Sequence, residues 1–214
     1  MAESSTIGAA SVTALVLAGG QGMRMGGVDK GLQCLDGQPL VAHALDRLRR
    51  QAGQRLAGCV LNANRHLDDY RALDVPVWPD GLTGYPGPLA GFLVGLQQCR
   101  TPWLLTVPCD TPRFPLDLLE RLALAVEQEG VELALALGRD EHGRLRRQPV
   151  FCLLRRTLEP DLRAYLDGGG RRIDDWIRAR RHAGVAFDAP GDDPHAFFNA
   201  NTAAELQSLQ GGAG

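Results

Sequence analysis

Residues 17–30 of the chain read LAGGQGMRMGGVDK, and they begin with Leu17, the last residue of the run Val12–Leu17. That run is apolar and rich in β-branched residues, which is typical of a buried strand. Five glycines lie in the stretch after it, together with Arg24 and Lys30. Glycine permits positive φ angles and leaves the backbone amides open to a ligand. A loop of this kind at the end of a strand presents a row of N–H donors that suits phosphate oxygens.

The two cations of this loop add fixed positive charge that a polyphosphate could use. The alternative is a glycine-rich surface turn with two solvated cations.

Two better-known phosphate loops are excluded by counting. A Walker-type loop needs Gly-Lys followed by Ser or Thr, whereas Lys30 lies between Asp29 and Gly31. The dinucleotide fingerprint G-x-G-x-x-G fails because its third glycine, Gly26, comes one residue late.

Composition limits the class of protein further. A chain of 214 residues with 44% hydrophobic and 22% charged residues fits one α/β domain with a real core. A net charge of −2 does not indicate the strongly basic surface that is typical of nucleic-acid-binding proteins. The five cysteines form no C-x-x-C pair, which argues against a disulfide framework and structural zinc and favours a reducing compartment.

Neither a signal peptide nor a run of about 18 apolar residues is visible in the sequence. We therefore expect a cytoplasmic protein that binds neither nucleic acid nor membrane.

The first two thirds of the chain alternate between strand and helix patterns. The predicted strands there are residues 12–17, 58–61, 75–78, 103–107 and 131–137, and the predicted helices are residues 39–52, 67–73, 88–99 and a segment opened by Pro115. Such alternation predicts a parallel sheet with right-handed crossovers. We expect an α/β fold, a Rossmann-like three-layer α/β/α sandwich with a mostly parallel central sheet.

The pattern changes after residue 137. A polar turn over residues 139–144 leads to a predicted strand at 150–153, helices near 158–166 and 172–180, a strand near 185–187 and a helix opened by Thr202. No linker divides the chain, so we expect a single domain. Residues 12–137 would form its nucleotide-binding half and residues 138–210 its acceptor-binding half. We expect residues 1–10 and 211–214 to be flexible.

Polar residues follow four of the predicted strands. The first strand leads into the glycine loop, and the next three lead to Asn62, Asp80 and Asp110. In open parallel sheets, ligands bind outside the carboxyl ends of the strands. The sequence therefore predicts one polar site along this edge.

Asp110 is the leading candidate in this group. A lone carboxylate after an apolar strand suits Mg²⁺, which joins one or two protein carboxylates to phosphate oxygens and waters. A helix cap or a turn aspartate beside Pro112 is the alternative. Asn62 can offer a donor and an acceptor to a base, although an asparagine at a strand end is also a common turn former. Asp80 could accept from two donors on a guanine edge, whereas cytosine offers one such group.

The loop motifs Leu17-Ala18-Gly19-Gly20, Arg24-Met25-Gly26 and Asp29-Lys30 resemble the signature of sugar-phosphate-type nucleotidyltransferases. More closely, residues 25–31 resemble the molybdenum cofactor guanylyltransferase family, as do the blocks 62–66, 85–91, 108–112 and 199–202. Related cytidylyltransferases tend to carry Ala-Ala-Gly and Gly-Asp where this chain has Ala-Gly-Gly and Cys109-Asp110. The guanylyl branch is therefore favoured.

The resemblance implies a set of site residues. The residues implied to bind GTP are Leu17, Ala18, Gly19, Gly20, Lys30, Asn62, Asp80 and Asp110, and those implied to border the pterin site are Gly87, Pro88, Gly91, Asn199 and Asn201. Asp110 would also hold the Mg²⁺ cofactor. Arg24, Lys30 and Asp110 would be the catalytic residues, and they would act by alignment and charge neutralisation.

The implied reaction transfers GMP from GTP to the terminal phosphate of molybdopterin and releases pyrophosphate. Arg146, Arg147, Arg171 and Arg172 could attract the anionic acceptor, or they could form a solvated surface. Transient contact with proteins that carry molybdopterin or mature molybdoenzymes is a further expectation. The alternatives are a related enzyme that uses CTP or a sugar phosphate, and a GTP-binding adaptor without turnover.

Overall fold

A computed structural model of the chain describes residues 6–18, 29–51, 54–81, 87–140 and 142–200. The strands in this part of the chain are β1 (Val12–Leu17), β2 (Cys34–Leu35), β3 (Gln38–Pro39), β4 (Leu56–Asn62), β5 (Val77–Trp78), β6 (Trp103–Pro108), β7 (Leu133–Arg139), β8 (Leu145–Arg155) and β9 (Ala183–Ala186). The helices are α1 (Leu40–Arg49), α2 (Leu67–Arg71), α3 (Pro88–Gln98), α4 (Leu118–Glu129), α5 (Glu159–Asp167) and α6 (Ile173–Arg178). None of the helices in these ranges is long and apolar enough to cross a bilayer.

Seven of the strands form one sheet in the order β5-β4-β1-β6-β8-β7-β9. The pairs β4–β5, β1–β4, β1–β6 and β7–β9 are parallel. Strand β8 is antiparallel to both of its neighbours, β6 and β7. The predicted mostly parallel sheet is thus confirmed, with one strand reversed inside it.

Helices cover both faces of the sheet, which gives the predicted three layers. Alternate residues of β1 face opposite sides: Val12, Ala14 and Val16 lie in one core cluster, and Leu15 lies in the other. The first cluster contains the apolar stripes of α1 and α4. The second contains those of α3, α5 and α6, including the fully buried Trp176. A buried strand with helices on both faces has a nearly continuous apolar sequence, and in β1 only Thr13 interrupts it.

Several predicted boundaries were wrong. Pro39 is not the first helical residue, because it pairs with Cys34 in the β2–β3 hairpin and α1 begins one residue later. Pro115 does not open α4 but accepts a turn bond from Leu118, where the helix begins. Strand β8 is eleven residues long and extends well before the predicted start at residue 150.

An aromatic cluster attaches the segment after β9 to the sheet. The ring of Phe197 packs edge-on against Phe151 and Phe187, with centroids 5.0 and 5.4 Å away. Gly138 of β7 lies beneath that ring, so that a Cβ built there would be 2.4 Å from a Phe197 ring carbon. A glycine is therefore required for this segment to lie across the sheet.

We expect Gly138→Ala to lower the free energy of unfolding by about 1–3 kcal/mol, because the tightly packed ring leaves no room for a methyl group. Gly58→Ala on β4 is the matched control, since nothing lies within 4 Å of the position that its Cβ would take. That change should alter stability by less than about 0.5 kcal/mol. Urea unfolding of both variants measures the difference. Equal stabilities would contradict the close approach at Gly138.

Candidate active site

The carboxyl ends of three parallel strands lie side by side at one edge of the sheet. In the register of β1, Leu17 is opposite Asn62 of β4 and Pro108 of β6. The Ala18 amide continues this ladder by donating to the Asn62 carbonyl at 2.9 Å, and the Cys109 amide donates to the Leu17 carbonyl at 3.1 Å. The residues that follow each strand therefore meet at one place.

A group of two asparagines and one aspartate occupies the β4–β5 side of this edge. The Asn62 amide donates to Oδ1 of Asp80 at 2.8 Å and to the Trp78 carbonyl at 2.9 Å. The Asn64 amide donates to Oδ2 of Asp80 at 2.7 Å, and the Asp80 backbone N–H donates back to Oδ1 of Asn64 at 2.7 Å. Each carboxylate oxygen thus has a donor and keeps a lone pair for a ligand.

Lys30 and Asp110 meet on the β6 side of the edge. Lys30 begins a short 3₁₀ turn, Lys30–Leu32, and its Nζ lies 3.4 Å from Oδ2 of Asp110. The two side chains are 26% and 17% exposed, so that water screens this pair only partly. The structure therefore brings a cation and a carboxylate together at the edge where β1 and β6 end.

Burial raises the pKa of the Asp110 carboxyl above its usual value, and Lys30, together with nearby backbone and Thr111 hydroxyl donors, offsets this shift only in part. The carboxylate is therefore poorly compensated by the protein alone. Among the described residues, no group of three or more His, Cys, Asp and Glu side chains is placed to hold a metal. Asp110 still fits Mg²⁺, because that ion commonly takes one or two protein carboxylates and completes its shell with phosphate oxygens and waters.

Asn199 lies beside the same carboxylate-bearing turn. The Thr111 hydroxyl, which is fully buried, donates to Oδ1 of Asn199 at 2.6 Å. The Ala200 amide donates to the Asp110 carbonyl at 2.7 Å. These two bonds attach the segment after β9 to the loop after β6, so that Asn199 and Asp110 are neighbours although they are far apart in sequence.

The N-terminal end of α3 closes another side of the edge. Gly87 and Pro88 start this helix, and Gly91 packs directly on the strand ends. A Cβ at Gly91 would lie 2.4 Å from Leu17 Cδ2 and 2.5 Å from Asn62 Oδ1. The absence of a side chain at Gly91 therefore lets the helix approach Asn62 closely.

Some predicted site residues lie elsewhere or outside the described part of the chain. Gly19, Gly20, Arg24 and Asn201 are outside the described residues. The candidate acceptor arginines have local contacts: Arg146 binds Asp140, Arg147 contacts His182, Arg171 donates to two backbone carbonyls and Arg172 lies near Asp175. Their attraction of the acceptor stays a prediction.

Sequence reasoning missed two side chains that support the site. Asn64 contacts Asp80 through both its amide and its oxygen, and Thr111 holds Asn199. Both residues stood within quoted motifs, close to Asn62 and Asp110 along the chain, but no sequence feature indicated which partner they contact.

Comparisons with known proteins identify the family to which this chain is similar. Residues 14–211 match the family model described as MobA-like NTP transferase domain. The chain is 58% identical over 205 residues to a molybdenum cofactor guanylyltransferase of Acidovorax ebreus (strain TPSY), covering 94% of this chain and 95% of the relative. It is 54% identical over 208 residues to the protein of that name from Albidiferax ferrireducens, covering 95% and 98%.

Two solved structures share the fold. A molybdopterin-guanine dinucleotide biosynthesis protein A from Archaeoglobus fulgidus superposes with a TM-score of 0.71 at 19% identity, covering 92% of this chain and 96% of that one. A 4-diphosphocytidyl-2C-methyl-D-erythritol synthase from Anaerococcus prevotii does so with a TM-score of 0.70 at 12% identity, covering 93% and 94%. At these identities the two structures bear on the fold alone, and they confirm it.

We expect Asp110→Asn to raise the free energy of unfolding at pH 8 by about 1 kcal/mol, because the amide has no charge to desolvate. The folded-state pKa of Asp110 lies above the unfolded one. Its carboxylate therefore costs stability at high pH, and that cost disappears as the pH falls through the folded-state pKa. The advantage of the variant should thus shrink toward about pH 4.

Urea unfolding across this pH range measures the effect. Asp36→Asn, at an exposed turn, is the control and should show no such trend. An Asp110→Asn protein that is less stable than the parent at pH 8 would show that the buried carboxylate stabilises the fold instead.

Proposed function

The chain belongs to the molybdenum cofactor guanylyltransferases, within the family of MobA-like NTP transferase domains, and on that premise we propose that it transfers GMP from GTP to the terminal phosphate of molybdopterin. An oxygen of the acceptor phosphate forms a bond to the α-phosphorus of GTP. The bond from that phosphorus to the β-bridging oxygen breaks, and pyrophosphate leaves with the electron pair. The product is the guanine dinucleotide form of the cofactor.

The observation that carries this proposal is the placement of two polar pairs at neighbouring strand ends. Asn62 with Asp80, and Lys30 with Asp110, lie at the carboxyl edge shared by β1, β4, β5 and β6. One pair suits a base edge and the other suits phosphate and metal. A nucleoside triphosphate has both kinds of group in one molecule.

Asp80 is the residue proposed to read guanine. Its two oxygens are oriented by the amides of Asn62 and Asn64, so that their remaining lone pairs can accept from the N1–H and N2–H₂ groups of the base. A carboxylate held by two fixed donors needs little reorganisation when the base binds. The close packing of Gly91 on Asn62 supports that orientation.

Lys30 and Arg24 are proposed to offset the charge that grows on the departing pyrophosphate. The acceptor phosphate is already ionised at neutral pH, so no general base is needed. Asp110 is the residue that would hold Mg²⁺, and that ion would supply charge neutralisation at the phosphates. Leu17, Ala18 and the loop that begins with Gly19 and Gly20 would contribute backbone contacts to the nucleotide.

The acceptor is proposed to lie between α3 and the segment after β9. Gly87, Pro88 and Gly91 would border one side, and Asn199, together with Asn201, would border the other. Thr111 supports this arrangement by holding the Asn199 side chain next to Asp110. Residues 138–210 would then form the acceptor-binding half, and transient contact with proteins that carry molybdopterin belongs to the same proposal.

Pyrophosphate release tests the proposed reaction. With Mg²⁺ and molybdopterin present, we expect release with GTP and at least about 100-fold less with CTP, ATP or UTP. Asp110→Ala should reduce the rate by about 100-fold or more while the protein stays folded by circular dichroism. Asp117→Ala, at an exposed position before α4, is the control. Nucleotide binding without release would favour an adaptor, and a preference for CTP would refute the guanine assignment.

The role of Asp80 can be tested with inosine triphosphate, which lacks the exocyclic N2 amine. We expect the parent protein to prefer GTP over this analogue by about tenfold in kcat/KM, the value of roughly one hydrogen bond to a charged acceptor. Asp80→Asn should abolish that preference, so that kcat/KM is about equal for the two nucleotides. The asparagine oxygen accepts more weakly than a carboxylate, and the asparagine NH₂ group opposes the donors of the base. An unchanged preference would show that another residue reads the amine.

A further inference from the structure

Tyr70 of α2 reaches the residue that precedes Lys30. Its side chain is fully buried, and its hydroxyl donates to Oδ1 of Asp29 at 2.5 Å. The Ala18 carbonyl oxygen lies 3.4 Å from the same hydroxyl. A phenol has one proton, so the short bond to the charged carboxylate takes it and the Ala18 contact is secondary.

The same Asp29 oxygen also organises the turn that contains Lys30. Oδ1 of Asp29 accepts from the Gly31 amide at 3.1 Å and so caps the turn Lys30–Leu32. Lys30 is the first residue of that turn, and its ammonium contacts Asp110. Three steps therefore connect the phenol to the lysine: hydroxyl to carboxylate, carboxylate to turn, and turn to ammonium.

The space around the phenol admits only a glycine at position 31. A Cβ there would be 2.5 Å from the Tyr70 hydroxyl oxygen and 3.4 Å from Cys109 Sγ. Gly31 thus lets the tyrosine, the lysine turn and Cys109, the residue before Asp110, pack against each other. Burial raises the pKa of Tyr70, as does its bond to Asp29, so the hydroxyl stays a donor throughout the neutral range.

We propose that Tyr70 is a positioning residue for phosphate binding, and that its hydroxyl acts through Asp29 to fix the Lys30 ammonium beside Asp110. This inference rests on the proposed function, because it assigns Lys30 to the phosphates of GTP. A tyrosine that only filled the core would need its ring but not its hydroxyl. The short bond to Asp29 and the shared oxygen that caps the lysine turn distinguish the two roles.

A double-mutant cycle tests the coupling between Tyr70 and Lys30. The proteins are the parent, Tyr70→Phe, Lys30→Met and the double variant, and the measurements are the dissociation constants of GTP and GMP and kcat for pyrophosphate release. We expect Tyr70→Phe to lower kcat about tenfold and to weaken GTP binding about threefold. GMP binding should not change, because GMP lacks the pyrophosphate that Lys30 is proposed to contact.

The decisive comparison is the effect of Tyr70→Phe once Lys30 is absent. In the Lys30→Met background the hydroxyl should make no further difference to GTP binding or kcat. Equal losses in both backgrounds, or equal losses for GTP and GMP, would reduce Tyr70 to a structural residue and overturn the proposal. So would a Tyr70→Phe protein that behaves like the parent.

Two controls complete the design. Tyr165→Phe also deletes a phenol hydroxyl, one that donates to the Arg172 carbonyl on the far side of the sheet, and should leave GTP affinity unchanged. Asp29→Asn keeps an oxygen acceptor and should bind GTP better than Asp29→Ala does. If the parent binds GTP but releases no pyrophosphate, the proposed function fails, whereas the GTP-affinity cycle still tests the coupling of Tyr70 to Lys30.

Discussion

The parallel alignment of β1, β4 and β6 is the constraint on which the candidate site depends. It places Leu17, Asn62 and Pro108 at one level, so that the three segments that leave the strands begin together. Strand side chains alternate between faces, and a slip of one residue in β4 would therefore move Asn62 to the opposite face and separate it from Asp80. Hydrophobic packing on both faces resists such a slip, because Leu61 and Val60 are buried in different core clusters. The apolar core thus determines where the polar groups meet.

Much of the fold could be predicted because burial on both faces makes strands such as Trp103–Pro108 apolar apart from single residues such as Thr106. The pattern reports that a strand is buried but not which way it runs, and so the reversal of β8 was not specified. The start of α4 illustrates another limit: a proline suits a first helical turn, yet Pro115 belongs to the turn that precedes it. At this boundary the distant Gln51 donates to the Pro115 carbonyl and accepts from the Leu119 amide, and no local pattern contains those contacts.

The candidate site, like the fold, was predictable from the sequence only in part. Asn62, Asp80 and Asp110 were predictable because each follows a recognisable strand, and the parallel topology then brings them to one edge. The residues that hold these three side chains in place were not predictable. Asn64 and Thr111 are ordinary loop residues until the chain folds, and Tyr70 reads as a core aromatic of a short helix. What distinguishes Tyr70 is one hydroxyl bond to Asp29, 41 positions away in sequence, and only the structure contains that information.

The carboxylates of Asp80 and Asp110 have different hydrogen-bonding and electrostatic environments, and the difference matches their proposed roles. Asp80 receives a donor on each oxygen from fixed amides, so that it is held in one orientation before a base arrives. The Asp110 side chain is 17% exposed and has its cation at 3.4 Å, a distance too long for a strong charge-assisted bond. A protein selected only for stability would replace such a carboxylate with a neutral residue. Its presence is explained if a divalent metal that binds with the nucleotide supplies the missing positive charge, because the free energy that the fold loses at Asp110 would then be recovered on binding.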